Sequence, residues 1–166
     1  MTLDQNSEFY IHQLKEFDEF INAPHDLLIF VLRFHLLAEN MLERIIIDSL
    51  PRGANLANKA RLSFVQKLAV VDALGILDEN LTVSLERLNS LRNKCAHKPK
   101  MKVTLKEIDS ISEPFGEKLS TVRPDPDQDP KHVELNAAVL ATTFFGSHIF
   151  AKLALVLLPL ESHESL

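Results

Sequence analysis

Between residues 26 and 50, apolar side chains return every three or four positions: Leu27, Val31, Phe34, Ala38, Met41/Leu42 and Ile45. Arg33, Asn40, Glu43 and Arg44 occupy the other side. Only an α-helix gathers such a spacing into one stripe, because its 3.6-residue turn stacks those positions on a single face. Pro24 fits the first turn of this helix, and Pro51 stops it near Leu50. The period recurs at Leu62, Val65, Leu68/Ala69 and Val71, closing at Gly75 as a helix C-cap. It recurs again from Asp78 through Leu81, Leu85, Leu88, Leu91 and Cys95. Pro99 then draws Lys98 out of helical geometry and ends that helix. Thr2 with Gln5, and Thr104 with Glu107, have the spacing of capping boxes. They predict one helix from about Leu3 to about Ile21 and a short one reaching about Ile111.

The segment 121–130 interleaves Pro124, Pro126 and Pro130 with Asp125, Asp127 and Asp129. It reads as an exposed linker, with Asp129 as N-cap and Pro130 as the first residue of a long apolar C-terminal helix, 131–158. That helix has an uncharged run of 17 residues, Leu135 to Ala151, containing Thr142, Thr143, Ser147 and His148. A membrane span needs about 20 residues with fewer polar groups, so a buried bundle or dimer-interface helix is expected and no membrane partner. No alternating β-pattern of useful length and no internal repeat stands out. The fold expected is all-α: a compact up-and-down bundle of about five to six helices in one domain spanning 1–166.

Composition narrows the function classes. One cysteine, Cys95, excludes a disulfide framework and four-cysteine or Cys2His2 zinc ribbons. The start, MTLDQNSEFY, has no basic stretch followed by an apolar one, so a reducing, cytoplasmic setting is expected. The net charge of −5 gives no bulk attraction to nucleic acid, yet it hides a local asymmetry. Arg87, Arg92, Lys94, Lys98, Lys100, Lys102 and Lys106 lie in one segment without an acid among them. That segment carries +7 and leaves −12 on the rest of the chain. Such a patch suits local phosphate binding. A solvated lysine loop beyond a helix end, where cations also favour the helix dipole, is the competing reading.

With Leu85 at zero on a wheel of about 100° per residue, Leu81, Leu88, Leu91 and Cys95 fall between about 240° and 320°, the core face. Arg92 falls at about 340°, on the edge of that face, whereas Asn93 and His97 fall at about 80° and 120°. The run Leu91-Arg-Asn-Lys-Cys-Ala-His97, preceded by the helix containing Arg33-Phe-His-Leu-Leu-Ala-Glu-Asn-Met-Leu-Glu-Arg44, resembles the HEPN superfamily of helical bundles. The layout is also similar, more distantly, to the mannitol-operon repressor family, which lacks the Arg/His pair.

The HEPN resemblance, over about Pro24 to Ile111, implies metal-independent RNA cleavage without a cofactor. It implies a homodimer in which two such motifs meet near the two-fold axis. Arg92, Asn93 and His97 would then be catalytic, and Lys94, Lys98, Lys100 and Lys102 would bind the RNA backbone. A toxin or defence effector with a neutralising antitoxin protein is the expected setting. HEPN toxins silenced by a nucleotidyltransferase carry a tyrosine two positions after the histidine; here Pro99 stands there. The rival expectation is a non-catalytic helical regulator or partner-binding module. His35, Glu39 and Glu43 share a helix face at metal-ligand spacing, but an ordinary polar stripe is expected there. Arg92 pairing with Glu39 or Glu43 is a further structural alternative.

Overall fold

The computed structural model describes residues 27–98 and 100–116, with Glu8, Ile11, His12, Lys15 and Glu19 as isolated helical positions. The helix expected over Leu3–Ile21, apart from those positions, lies outside the described residues. So do Pro24, the 121–130 linker and the 131–158 helix with His148. The described chain runs through α1 (Leu27–Ser49), α2 (Gly53–Ala60), α3 (Phe64–Ala73), α4 (Glu79–His97) and α5 (Leu105–Ser112). A 3-10 turn, Glu113–Phe115, follows. No strand occurs among the described residues, so the all-α expectation is met there.

Helix α1 is the axis of the arrangement, packing against α2, α3 and α4, while α4 also packs against α5 and the 3-10 turn. Its buried positions, Val31, Phe34, His35, Ala38, Met41, Leu42, Ile45 and Ile46, follow the three- and four-residue steps of the sequence. Helix α4 answers with Leu81, Leu85, Leu88, Leu91 and Cys95, and α5 closes the far side with Ile108 and Ile111. Each fully buried leucine, isoleucine or phenylalanine contributes about 1.5–3 kcal/mol, which is why this stripe decides the fold.

Helix boundaries follow local chemistry. Ser63 caps α3 as half of a reciprocal capping box: its Oγ accepts from the Gln66 N–H, and its own N–H donates to Gln66 Oε1 at 2.9 Å. Helix α3 therefore starts at Phe64, two residues later than the apolar spacing suggests. Gly75, with φ +68°, follows its C-terminus in the left-handed region that lets a chain turn away. Asp78 caps α4 through Leu81 N–H at 2.8 Å, and Glu107 accepts from Thr104 N–H at 3.0 Å to open α5.

Helix α2 falls between the apolar stretch that ends near Leu50 and the one that resumes at Leu62, where the sequence expectations place no helix. Its end at Arg61, φ 46°, uses a non-glycine residue in the left-handed region, so the usual glycine signal is missing. It leans on α1 through Gly53, which packs against the backbone of Ile46 and Ile47.

A second tie joins α1 to α3. Lys67 Nζ, 7% exposed as a residue, lies 3.0 Å from Glu39 Oε1 and 2.6 Å from Glu43 Oε2. Burial pulls the Lys67 ammonium down, but its bonds to Glu43 and Glu39 and their charges outweigh this and leave it above its ordinary range. Replacing Lys67 with methionine keeps the stem and leaves two carboxylates one helical turn apart. Those carboxylates remain partly solvated, so the loss of stability is expected at about 1.5–3 kcal/mol rather than that of a fully buried pair. Chemical denaturation of Lys67→Met measures it; an unchanged midpoint would mean the ion pairs contribute nothing.

Candidate functional site

The last two turns of α4 position the residues singled out by the sequence. Arg92 is half-buried at the edge of the core face, and Asn93 and His97 are exposed one turn apart. The Arg92 Nη1–H donates to Asn93 Oδ1 at 3.2 Å, so Asn93 touches the guanidinium rather than only flanking it. Glu39 and Glu43, offered above as partners for Arg92, are instead engaged by Lys67. Cys95 is buried on the core face.

Beyond His97 the chain turns, with Met101 N–H donating to Lys98 O at 2.8 Å, and runs without regular structure to Thr104. Its side chains alternate: Met101 is half-buried and Val103 buried, while Lys100, Lys102 and Thr104 are exposed. The apolar members pin the loop to the bundle and hold the lysines outward. An open depression results, lined by Lys98, Lys100, Lys102 and Lys106 with Thr104 and Glu107. Lys94, one turn before the helix end, is exposed as well. Arg87 is drawn elsewhere: its Nη1 donates to Ser110 O and Glu113 Oε2, tying α4 to the 3-10 turn.

The chain matches no protein-family model, no curated protein and no solved structure.

A second polar contact, between residues 54 positions apart, is made one turn before Arg92 on α4. His35, 6% exposed on α1, donates from Nε2 to Asn89 Oδ1 on α4 at 3.0 Å. Its ring stacks on Phe64 of α3, with centroids 4.2 Å apart and planes 28° apart. Burial pushes the imidazole below its ordinary 6.5; the Asn89 bond pulls up, the Arg92 charge pushes down further, and Glu39 pulls up. The trio His35, Glu39 and Glu43 does not converge as ligands. His35 bonds Asn89, both glutamates bond Lys67, and no metal-binding group of three or more appears among the described residues. In the sequence Asn89 gave a faint signal, a polar residue about 40° from Leu85 on the wheel. Lys67 gave a stronger one, since it shares a face with Phe64, Leu68 and Val71 and needs an acid there.

The depressed His35 has a consequence for stability. The folded state resists a proton that the unfolded chain accepts near 6.5, so the contribution is complete above that pH. It declines as pH falls below 6.5 toward the folded value. Thermal unfolding between pH 8 and 5 is expected to show this decline, flattened in His35→Gln, which still donates a hydrogen bond but cannot be charged. An equal slope in both proteins would show that His35 is not responsible.

Proposed function

We propose that this chain is a metal-independent endoribonuclease of HEPN type, acting as a homodimer and serving as a toxin or defence effector restrained by a neutralising protein. The observation that carries the reading is the grouping of Arg92, Asn93 and His97 at one exposed end of α4, beside the outward-facing lysines of the following loop. In the reaction the RNA 2′-oxygen bonds to the adjacent phosphorus while the bond to the 5′-oxygen breaks. One imidazole takes the 2′-OH proton, and a second, from the other copy, protonates the leaving 5′-oxygen. Imidazole suits this because it gains and loses protons near neutral pH. Arg92 offers paired donors to the phosphate oxygens, with Asn93 holding its guanidinium, and Lys94, Lys98, Lys100 and Lys102 contact the flanking backbone. The products carry 2′,3′-cyclic phosphate and 5′-hydroxyl ends.

Purified protein incubated with total RNA in excess EDTA tests this on a denaturing gel. Cleavage in EDTA that yields cyclic phosphate ends is expected, and cleavage that needs added metal would overturn the mechanism.

A second reading, a partner-binding module without catalysis, is favoured by the outer face of α1. Ile29, Leu32 and Leu36 are 46%, 40% and 57% exposed there at three- and four-residue spacing. That reading expects polar substitutions on this stripe to abolish partner binding while changes at Arg92 and His97 leave it intact. No described helix is long and apolar enough to cross a membrane.

A further inference from the structure

The strongest observation outside the candidate catalytic residues is the buried imidazole where three helices meet. His35 comes from α1, Phe64 covers its ring from α3, and Asn89 takes its Nε2–H from α4. Asn89 precedes Arg92 by three residues and Asn93 by four, so all three lie on adjoining turns of one helix. The hydrogen bond between α1 and α4 therefore fixes the rotation of α4 at the point from which Arg92 departs.

We propose that His35 and Asn89 are positioning residues for Arg92, their hydrogen bond holding α4 in register and a proton on the imidazole driving the guanidinium away. This rests on the reading of Arg92 as a phosphate-contacting group.

Charges around the ring make the response one-sided. From its own helix, Glu39 faces His35 one turn on, but Lys67 of α3 already engages that carboxylate at 3.0 Å. From α4 come the neutral Asn89 and the positive Arg92, whose charge opposes protonation of the ring. From α3 the ring meets the apolar face of Phe64. A proton on His35 thus meets one anion already engaged by Lys67 and one repulsive cation, which is held by the neutral amide of Asn93. The response is a shift of Arg92, the more exposed and longer of the two side chains. Where the pH falls far enough below 6.5 to charge this ring, the candidate site would lose its phosphate fork although its sequence is intact.

Two measurements on the full chain test this. The first needs no RNA: the His35 ring is titrated by NMR in the wild type and in Arg92→Gln. The wild-type ring is expected to titrate below 6.5 and to move upward in Arg92→Gln. An unchanged titration would overturn the proposal whether or not the protein cuts RNA. The second follows RNA cleavage against pH in the wild type, His35→Leu and His35→Gln. His35→Leu, which lacks the donor, is expected to lower kcat by roughly ten- to hundredfold with little change in KM. His35→Gln is expected to restore most of that loss and to flatten the acidic side of the profile. Equal kcat in all three would sink the positioning role. A wild type inactive at every pH would instead sink the ribonuclease reading, leaving the titration to decide the rest.

Discussion

Replacing His97 with alanine is expected to slow RNA cleavage by about 10²–10⁴-fold, the range that positioned proton transfer contributes. The substitution removes an exposed side chain at the last helical position of α4, so the bundle is not expected to suffer. Its effect on stability is expected within about 0.5 kcal/mol, as for surface changes generally. That contrast gives the test its force, because lost activity with an unchanged melting curve belongs to the site and not to the fold. Arg92→Ala is expected to reach a similar loss of cleavage at a greater structural cost. Arg92 is half-buried, and its stem covers part of the core edge. Arg92→Lys separates the two contributions: it keeps charge and stem but cannot present a planar fork. A variant pair that still cleaves at wild-type rate would leave the partner-binding reading standing.

Gly53→Ala is expected to be the most destabilising alanine substitution among the described glycines. A Cβ built there lies 2.1 Å from the Ile46 carbonyl oxygen and 2.7 Å from the Ile47 Cα. Both are backbone atoms of α1, so no side-chain rotation relieves the contact. Helix α2 must translate or its first turn must open, breaking the Gly53 N–H bond to Leu50 O at 3.0 Å. Alanine is intrinsically the better helix former by about 1 kcal/mol, which only partly offsets the clash. A net loss of about 3 kcal/mol is expected, equivalent to a fall in Tm of about 6–12 °C for a chain of this size. A Tm within about 2 °C of wild type would mean that α2 docks loosely.

Much of the fold is legible in the sequence where one physical signal dominates. The apolar steps of α1 and α4 reappear as their buried residues, and the Asp78, Thr104 and Gly75 signals mark real helix ends. Helix α2 is not legible, because it is held by a backbone contact at Gly53 and ends on Arg61 without a glycine. The same limit applies at the site. The wheel separates Arg92 from Asn93 by about 100°, yet an arginine's reach closes that gap to a 3.2 Å hydrogen bond. The pairing of His35 with Asn89 spans 54 positions and depends on how α1 crosses α4, which no local spacing records.

The alternation of Met101 and Val103 with the lysines has a kinetic and thermodynamic meaning. Long cationic side chains on a slack segment lose backbone freedom when they meet a polyanion, about 1–2 kcal/mol for each residue immobilised. In this protein part of that ordering is made on folding, because Val103 is buried and Glu107 accepts from Thr104 N–H at the loop's far end. Under the proposed RNA-binding role, docking of a phosphate chain on this loop would then draw mainly on displacement of counterions. Affinity should therefore track salt concentration steeply and temperature weakly, the behaviour of a rigid rack of charges.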